Sequence, residues 1–234
     1  MCIRDRVKSG ADYAMKKATC KIIGGHSYSN NDDQVYLGFS IIGKKKNYFK
    51  SKRIKKGNLY ITGKIGSALV FAAIEKKIIS GIYSEEVINT MKQSNYEIFK
   101  IFNKFSIQHI TDISGFGLAI HANNLLLRNS DLNGLEISLK KVPLYKGAIE
   151  ALNNNVKSSL NDANKDSIIN NLRIDYGKIN KNYLNCLFDP QTAGGFLFIL
   201  DPTQKKILNE LDKKKINYSS IGRVINSKKK IKVI

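Results

Sequence analysis

The sequence predicts an α/β fold in which helices cover a mixed sheet, and three observations predict it. From Asn58 onward, apolar runs of strand character alternate with stretches whose apolar residues recur at helical spacing. The thirteen residues from His109 to His121 join an apolar run, Thr111-Asp112, two glycines and the start of an amphipathic segment. Between Leu187 and Leu200, Asp189-Pro190 sets a turn and Gly194-Gly195 precede the unbroken apolar run Phe196-Leu197-Phe198-Ile199-Leu200. That pattern suits a buried strand entered through a closely approached backbone.

Taken in order, Met1 to Arg6 fit no helix or strand and are read as a non-native leader outside the fold. Residues 11–20 read as the end of an amphipathic helix, 21–23 as a short strand meeting Gly24-Gly25, and 35–42 as a strong strand. The lysine-rich run over 44–56 is a charged linker. Strands are expected at 58–62, 107–111, 135–139, 196–200 and 218–225. Helices are expected from the Gly63-Lys64-Ile65-Gly66 turn to Ile79, after Ser84 as cap, and over 96–105, 116–128, 145–152 and 203–211. This divides the chain into 1–6, 7–46 and 47–234.

Around Asp112 the residues allow two readings. Ile107, Ile110 and Ile113 bring the chain up as a buried strand with Thr111 and Asp112 at its carboxyl end, where open α/β sheets place ligands. Gly115 and Gly117 then let the backbone turn tightly before a helix whose amino end attracts anions. Alternatively, Asp112 or Ser114 simply caps that helix and the glycines simply turn the chain. A dinucleotide fingerprint starting at Gly115 lacks its third glycine, having Ile120 there, and no phosphate loop of the G-x-x-x-x-G-K-S/T form occurs.

Composition excludes several classes. Apolar residues make up 42% of the chain, enough for a core, and no run of about 18 apolar residues predicts a membrane span. Cys2, Cys20 and Cys186 are odd in number and widely spaced, which argues against a disulfide framework or a zinc site and for a reducing cytoplasm. Cys20 and Cys186 are expected to be packed, unreactive thiols. The net charge of +20 comes almost wholly from dispersed lysine. Its two clusters, Lys44 to Lys56 and Lys228 to Lys232, match no nucleic-acid module and read as solvated surface.

Three blocks, GGHS at Gly24, TDISGFG at Thr111 and DPQTAGG at Asp189, occur in that order. They resemble the corresponding blocks of selenophosphate synthetase (selenide, water dikinase), of the aminoimidazole ribotide synthetase-like ATP-binding superfamily. The resemblance runs from about Ala14 to the end of the chain and covers the later part of the family's length. It implies the end of an N-terminal ATP-binding domain followed by a complete C-terminal α/β sandwich domain with a mixed sheet. It also implies transfer of the ATP γ-phosphoryl to selenide, with AMP and phosphate as the other products. Asp112 falls at a family Mg2+ ligand, and Gly24, Gly25 and His26 fall where the family reaches ATP held mainly by the other subunit of a homodimer. The family's lysine and its reactive Cys or selenocysteine have no counterpart here, so this chain alone is expected to make no AMP. Neither a membrane nor nucleic acid is expected as a partner. Val156-Lys157-Ser158-Ser159-Leu160 stands where the family has a Gly-Gly loop, which implies a different loop path.

Overall fold

The computed structural model describes residues 3–29, 31, 35–43, 54 and 56–234, which fall into two compact units, Met1–Lys50 and Ser51–Ile234. In the first unit, helix α1 (Ile3–Lys17) takes in residues assigned above to no element. Arg4, Arg6 and Lys8 are good helix formers, and Asp5 in the first turn complements the positive amino end. The helix stops short of Cys20, where Thr19 adopts φ 53° and the Cys20 amide returns to the Met15 carbonyl at 3.0 Å. Neither strand expected at 21–23 and 35–42 forms. Val35, Tyr36, Leu37, Phe39, Ile41 and Ile42 are 61–89% exposed. A strand exists through its neighbour's hydrogen bonds, and no strand among the described residues lies beside them. Cys20 is exposed, against the expectation of a packed thiol. Cys2 and most of the 44–56 linker lie outside the described residues.

The second unit is a seven-stranded mixed sheet. Its strands are β1 (Asn58–Thr62), β2 (Ile110–Asp112), β3 (Gly134–Ile137), β4 (Leu172–Ile174), β5 (Phe196–Leu200), β6 (Tyr218–Val224) and β7 (Lys230–Val233), in the order β2-β5-β1-β6-β3-β7-β4. Only the β3-β7 and β7-β4 pairs are parallel. Seven α-helices accompany it among the described residues: α2 (Ser67–Glu75), α3 (Ser84–Met91), α4 (Tyr96–Lys104), α5 (Gly117–Arg128), α6 (Lys146–Asn153), α7 (Asn161–Ile168) and α8 (Lys206–Lys213).

Strand alternation sorts the core into two layers. Leu59 and Ile61 of β1 and Leu197 and Ile199 of β5 point into a large cluster with α2, α3, α5, α6 and α7. Tyr60, Phe198 and Leu200 point the other way, against Phe102 of α4 and Ile207 and Leu211 of α8. There the Phe198 ring lies 4.8 Å from that of Phe102 and 5.4 Å from that of Tyr60. Both faces of β1 and β5 are thus buried, which explains the unbroken apolar run in β5.

Several local expectations shift. β2 begins at Ile110 rather than Ile107 and is an edge strand, with Ile110 half-buried; Ile113, just after it, is the buried residue. Ser84 does not cap α3, because its hydroxyl donates to the Gly81 carbonyl at 2.7 Å. α7, β4 and β7 have no counterpart among the expected elements. The terminal lysines prove to be more than solvated surface: the Lys229 ammonium donates to the Leu126 and Asn129 carbonyls at the carboxyl end of α5, at 3.2 and 2.8 Å. Lys230 likewise donates to the Asn170 carbonyl at 2.8 Å. The left-handed residue is Asn155, φ 57°, just before the 156–160 loop, and Ser158 and Ser159 are spared the positive φ that glycine would tolerate.

Candidate functional site

Two blocks separated by some seventy residues of sequence close on one another in the second unit. Asp112 pairs with Phe196 in the β2-β5 ladder, and the Ile113 amide donates to the Gly195 carbonyl at 2.9 Å. The Gln191 amide in turn donates to the Ser114 carbonyl at 3.1 Å. Glycine makes this proximity possible. A Cβ on Gly194 would strike the Ile113 carbonyl oxygen, one on Gly195 would strike that of Thr62, and one on Gly117 would lie 2.8 Å from the Phe188 backbone. Gly117 also has φ 76°, which a side chain would strain.

The second block anchors the assembly to α2. The Gln191 side-chain oxygen accepts from the Gly66 and Ser67 amides at 3.0 and 3.2 Å, satisfying the open amino end of that helix. The Gln191 amide nitrogen donates to the Asp189 carboxylate at 2.9 Å, which orients the cap. Asp189 is fully buried, and burial pushes its carboxyl up to about 6 from an ordinary 3.8, while the Ser158 hydroxyl, Gln191 and the amides of Leu69 and Ala68 pull the other way. The Ser158 hydroxyl is near enough to matter, yet neither its oxygen nor Asp189 Oδ1 makes a hydrogen bond of good geometry. Nearby Cys186 is buried, and its thiol is pushed up by burial first and by Asp189 second. It is the inert thiol expected.

The first block is held differently. The Ser114 amide donates to Nε2 of His121 at 3.0 Å, and the Ser114 hydroxyl lies 3.1 Å from the same atom. An Nε2 that accepts from an amide carries no proton, so His121 is neutral with its proton on Nδ1. Burial holds this imidazole below its usual range, with Asp112 opposing and Arg128 adding to the shift. Helix α5 has no side-chain cap, so Asp112 and Ser114 are not consumed as caps. The Asp112 carboxylate is exposed and makes no hydrogen bond or ion pair among the described residues.

Gly24, Gly25 and His26 lie in the first unit. They are exposed, and the space around each glycine is open. No group of three or more His, Cys, Asp or Glu side chains among the described residues is placed to hold a metal ion. Asp112 therefore suits a cation only as one ligand beside waters or phosphate oxygens, an arrangement Mg2+ accepts. Sequence reasoning assigned no role to His121 or Gln191 and gave Asp189 only a turn with Pro190, although all three lie in quoted stretches. It missed Ser158 and Asn164 because their partners are remote in sequence and no local pattern announces them.

Comparison with known proteins bears on this arrangement. Residues 59–234 match the family described as AIR synthase related protein, C-terminal domain. The chain belongs to this family. The AIR synthase-like sheet is further reflected in a solved structure of tt0281 from Thermus thermophilus, with TM-score 0.52 and 14% identity over 78% of this chain and 50% of that one. That likeness speaks to the fold alone. Among curated relatives, the selenide, water dikinase of Clostridioides difficile (strain 630) is 27% identical over 223 residues, 94% of this chain and 62% of that protein. The selenide, water dikinase of Pelobacter propionicus is 26% identical over 210 residues, 88% of this chain and 58% of that protein. The chain thus spans less than two thirds of the length of these relatives. No helix among the described residues is long and apolar enough to cross a membrane.

Proposed function

We propose that this protein takes part in selenophosphate synthesis: selenide, ATP and water give selenophosphate, AMP and phosphate, in a cytoplasmic homodimer. The observation that carries the reading is Asp112, an exposed and uncommitted carboxylate on a rigid platform built from the TDISGFG and DPQTAGG blocks. The similarity to curated selenide, water dikinases supports it. Under this reading Asp112 would be the protein's ligand to Mg2+ in this domain, and the ion would supply neutralisation of the charge that develops during phosphoryl transfer. The Ile113-Gly195 bond and the Ser114-His121 bond keep the Asp112 backbone from moving as that charge builds, so little reorganisation accompanies the reaction. Gly24, Gly25 and His26 contact ATP held by the partner subunit, their exposed backbone being open to such an approach. The division at 7–46 and 47–234 separates the end of the ATP-binding domain from the domain carrying Asp112.

The full-length gene product, incubated with ATP, selenide and Mg2+, should release AMP and a selenophosphate signal in phosphorus NMR. ADP as the final nucleotide product, with selenide unchanged, would instead identify a different ATP-dependent synthetase or kinase of the same superfamily.

A further inference from the structure

The two blocks meet at an awkward place. Where Gly117 abuts the Leu187-Phe188 backbone, the carbonyl oxygens of Gly115 and Phe188 converge on a common side-chain nitrogen. Two carbonyls directed at one spot repel each other, and a buried carbonyl without a donor is costly. Asn164 of α7 resolves both problems. Its Nδ2 donates to the Gly115 oxygen at 3.0 Å and to the Phe188 oxygen at 2.9 Å, so each hydrogen of one amide serves one block. Asn164 is 7% exposed and its direction is set one turn earlier, where Asn161 donates to the Asn185 carbonyl at 2.8 Å. A carboxylate in its place would offer no donor, and a hydroxyl only one.

We propose that Asn164 is a positioning residue for the cation site: it ties the Ser114–Gly117 turn to the Phe188–Gln191 turn, so that Asp112 and the amino end of α5 keep one geometry. The inference rests on the reading of Asp112 as a cation ligand, and the test separates the two. In the full-length gene product, Mn2+ affinity is measured by water-proton relaxation in wild type, Asn164→Asp, Asp112→Asn and the double variant, and amide exchange is followed across both turns. Asn164→Asp removes both donations and should weaken Mn2+ binding roughly tenfold or more. It should speed exchange in both turns and leave exchange in β1 and β5 unchanged. Adding it to Asp112→Asn should cost no further Mn2+ affinity, because Asn164 acts through that carboxylate. If Asn164→Asp fails to fold, Asn164→Ala removes the same two donations without adding a charge and should show the same pattern. Folded Asn164 variants with wild-type Mn2+ affinity and wild-type exchange in the turns would overturn the proposal. So would an Mn2+ loss that simply adds to that of Asp112→Asn. Unchanged Mn2+ binding in Asp112→Asn would overturn the cation reading instead, and faster exchange in both turns would then still support the tie made by Asn164.

Discussion

The chain contains two Gly-Gly pairs, and their surroundings are opposite. Around Gly194 and Gly195 the space a Cβ would need is filled by the Ile113 and Thr62 carbonyls, whereas no atom of the described residues lies within 4 Å of a Cβ on Gly24 or Gly25. The same dipeptide therefore answers two different demands. In the second unit glycine is required by packing within the chain, and its cost in conformational freedom is offset by the contact of two loops. In the first unit no packing in the described chain requires it, and the proposed function gives those glycines to ATP instead.

The sharpest way to break this comparison is Gly195→Ala, which drives a methyl into the Thr62 backbone beside the β1-β5 ladder. Since backbone can yield little there, the cost should exceed the ~1–3 kcal/mol of ordinary overpacking and lower the melting temperature by roughly 5 °C or more. A calorimetric scan matching wild type would refute the close approach.

Next in size is Asp112→Asn in the full-length gene product, which should abolish AMP release. It should leave the melting temperature within about a degree, because the side chain is exposed and bonded to nothing described. Wild-type turnover would remove Asp112 from the site.

A smaller effect belongs to Asp189. Its carboxyl is pushed up to about 6 from 3.8, so the folded state favours the protonated form. The associated stability is complete below about pH 4 and is lost as pH rises through 6, by roughly 3 kcal/mol at most. Denaturant melts of wild type should therefore lose stability between pH 4 and 7 relative to Asp189→Asn, which keeps an acceptor for Gln191 but cannot ionise. Parallel pH profiles for the two proteins would contradict the buried-acid account.

The smallest expected change sharpens the comparison from the other side. Gly25→Ala should alter stability by less than ~0.5 kcal/mol, yet reduce turnover of the full-length gene product if ATP approaches that backbone. A stability loss as large as that of Gly195→Ala would mean that both pairs serve packing.

Sequence alone was enough for what depends on neighbours in the chain. The apolar runs of β1 and β5 and the helical spacing of α5 and α6 reveal their elements, because period and burial are written in adjacent residues. The TDISGFG and DPQTAGG blocks likewise marked the two stretches that meet in the second unit. Tertiary structure decided what depends on distant partners. Residues 35–42 have the pattern of a strand but pair with no strand among the described residues. The lysine-rich tail looks solvated, yet β7 is held between β3 and β4, and Lys229 finds the end of α5. The joining of Gly115 and Phe188 by Asn164 could not be read from any window of sequence, because a hydrogen bond to a remote carbonyl leaves no periodic trace and exists only once both loops have folded against α7.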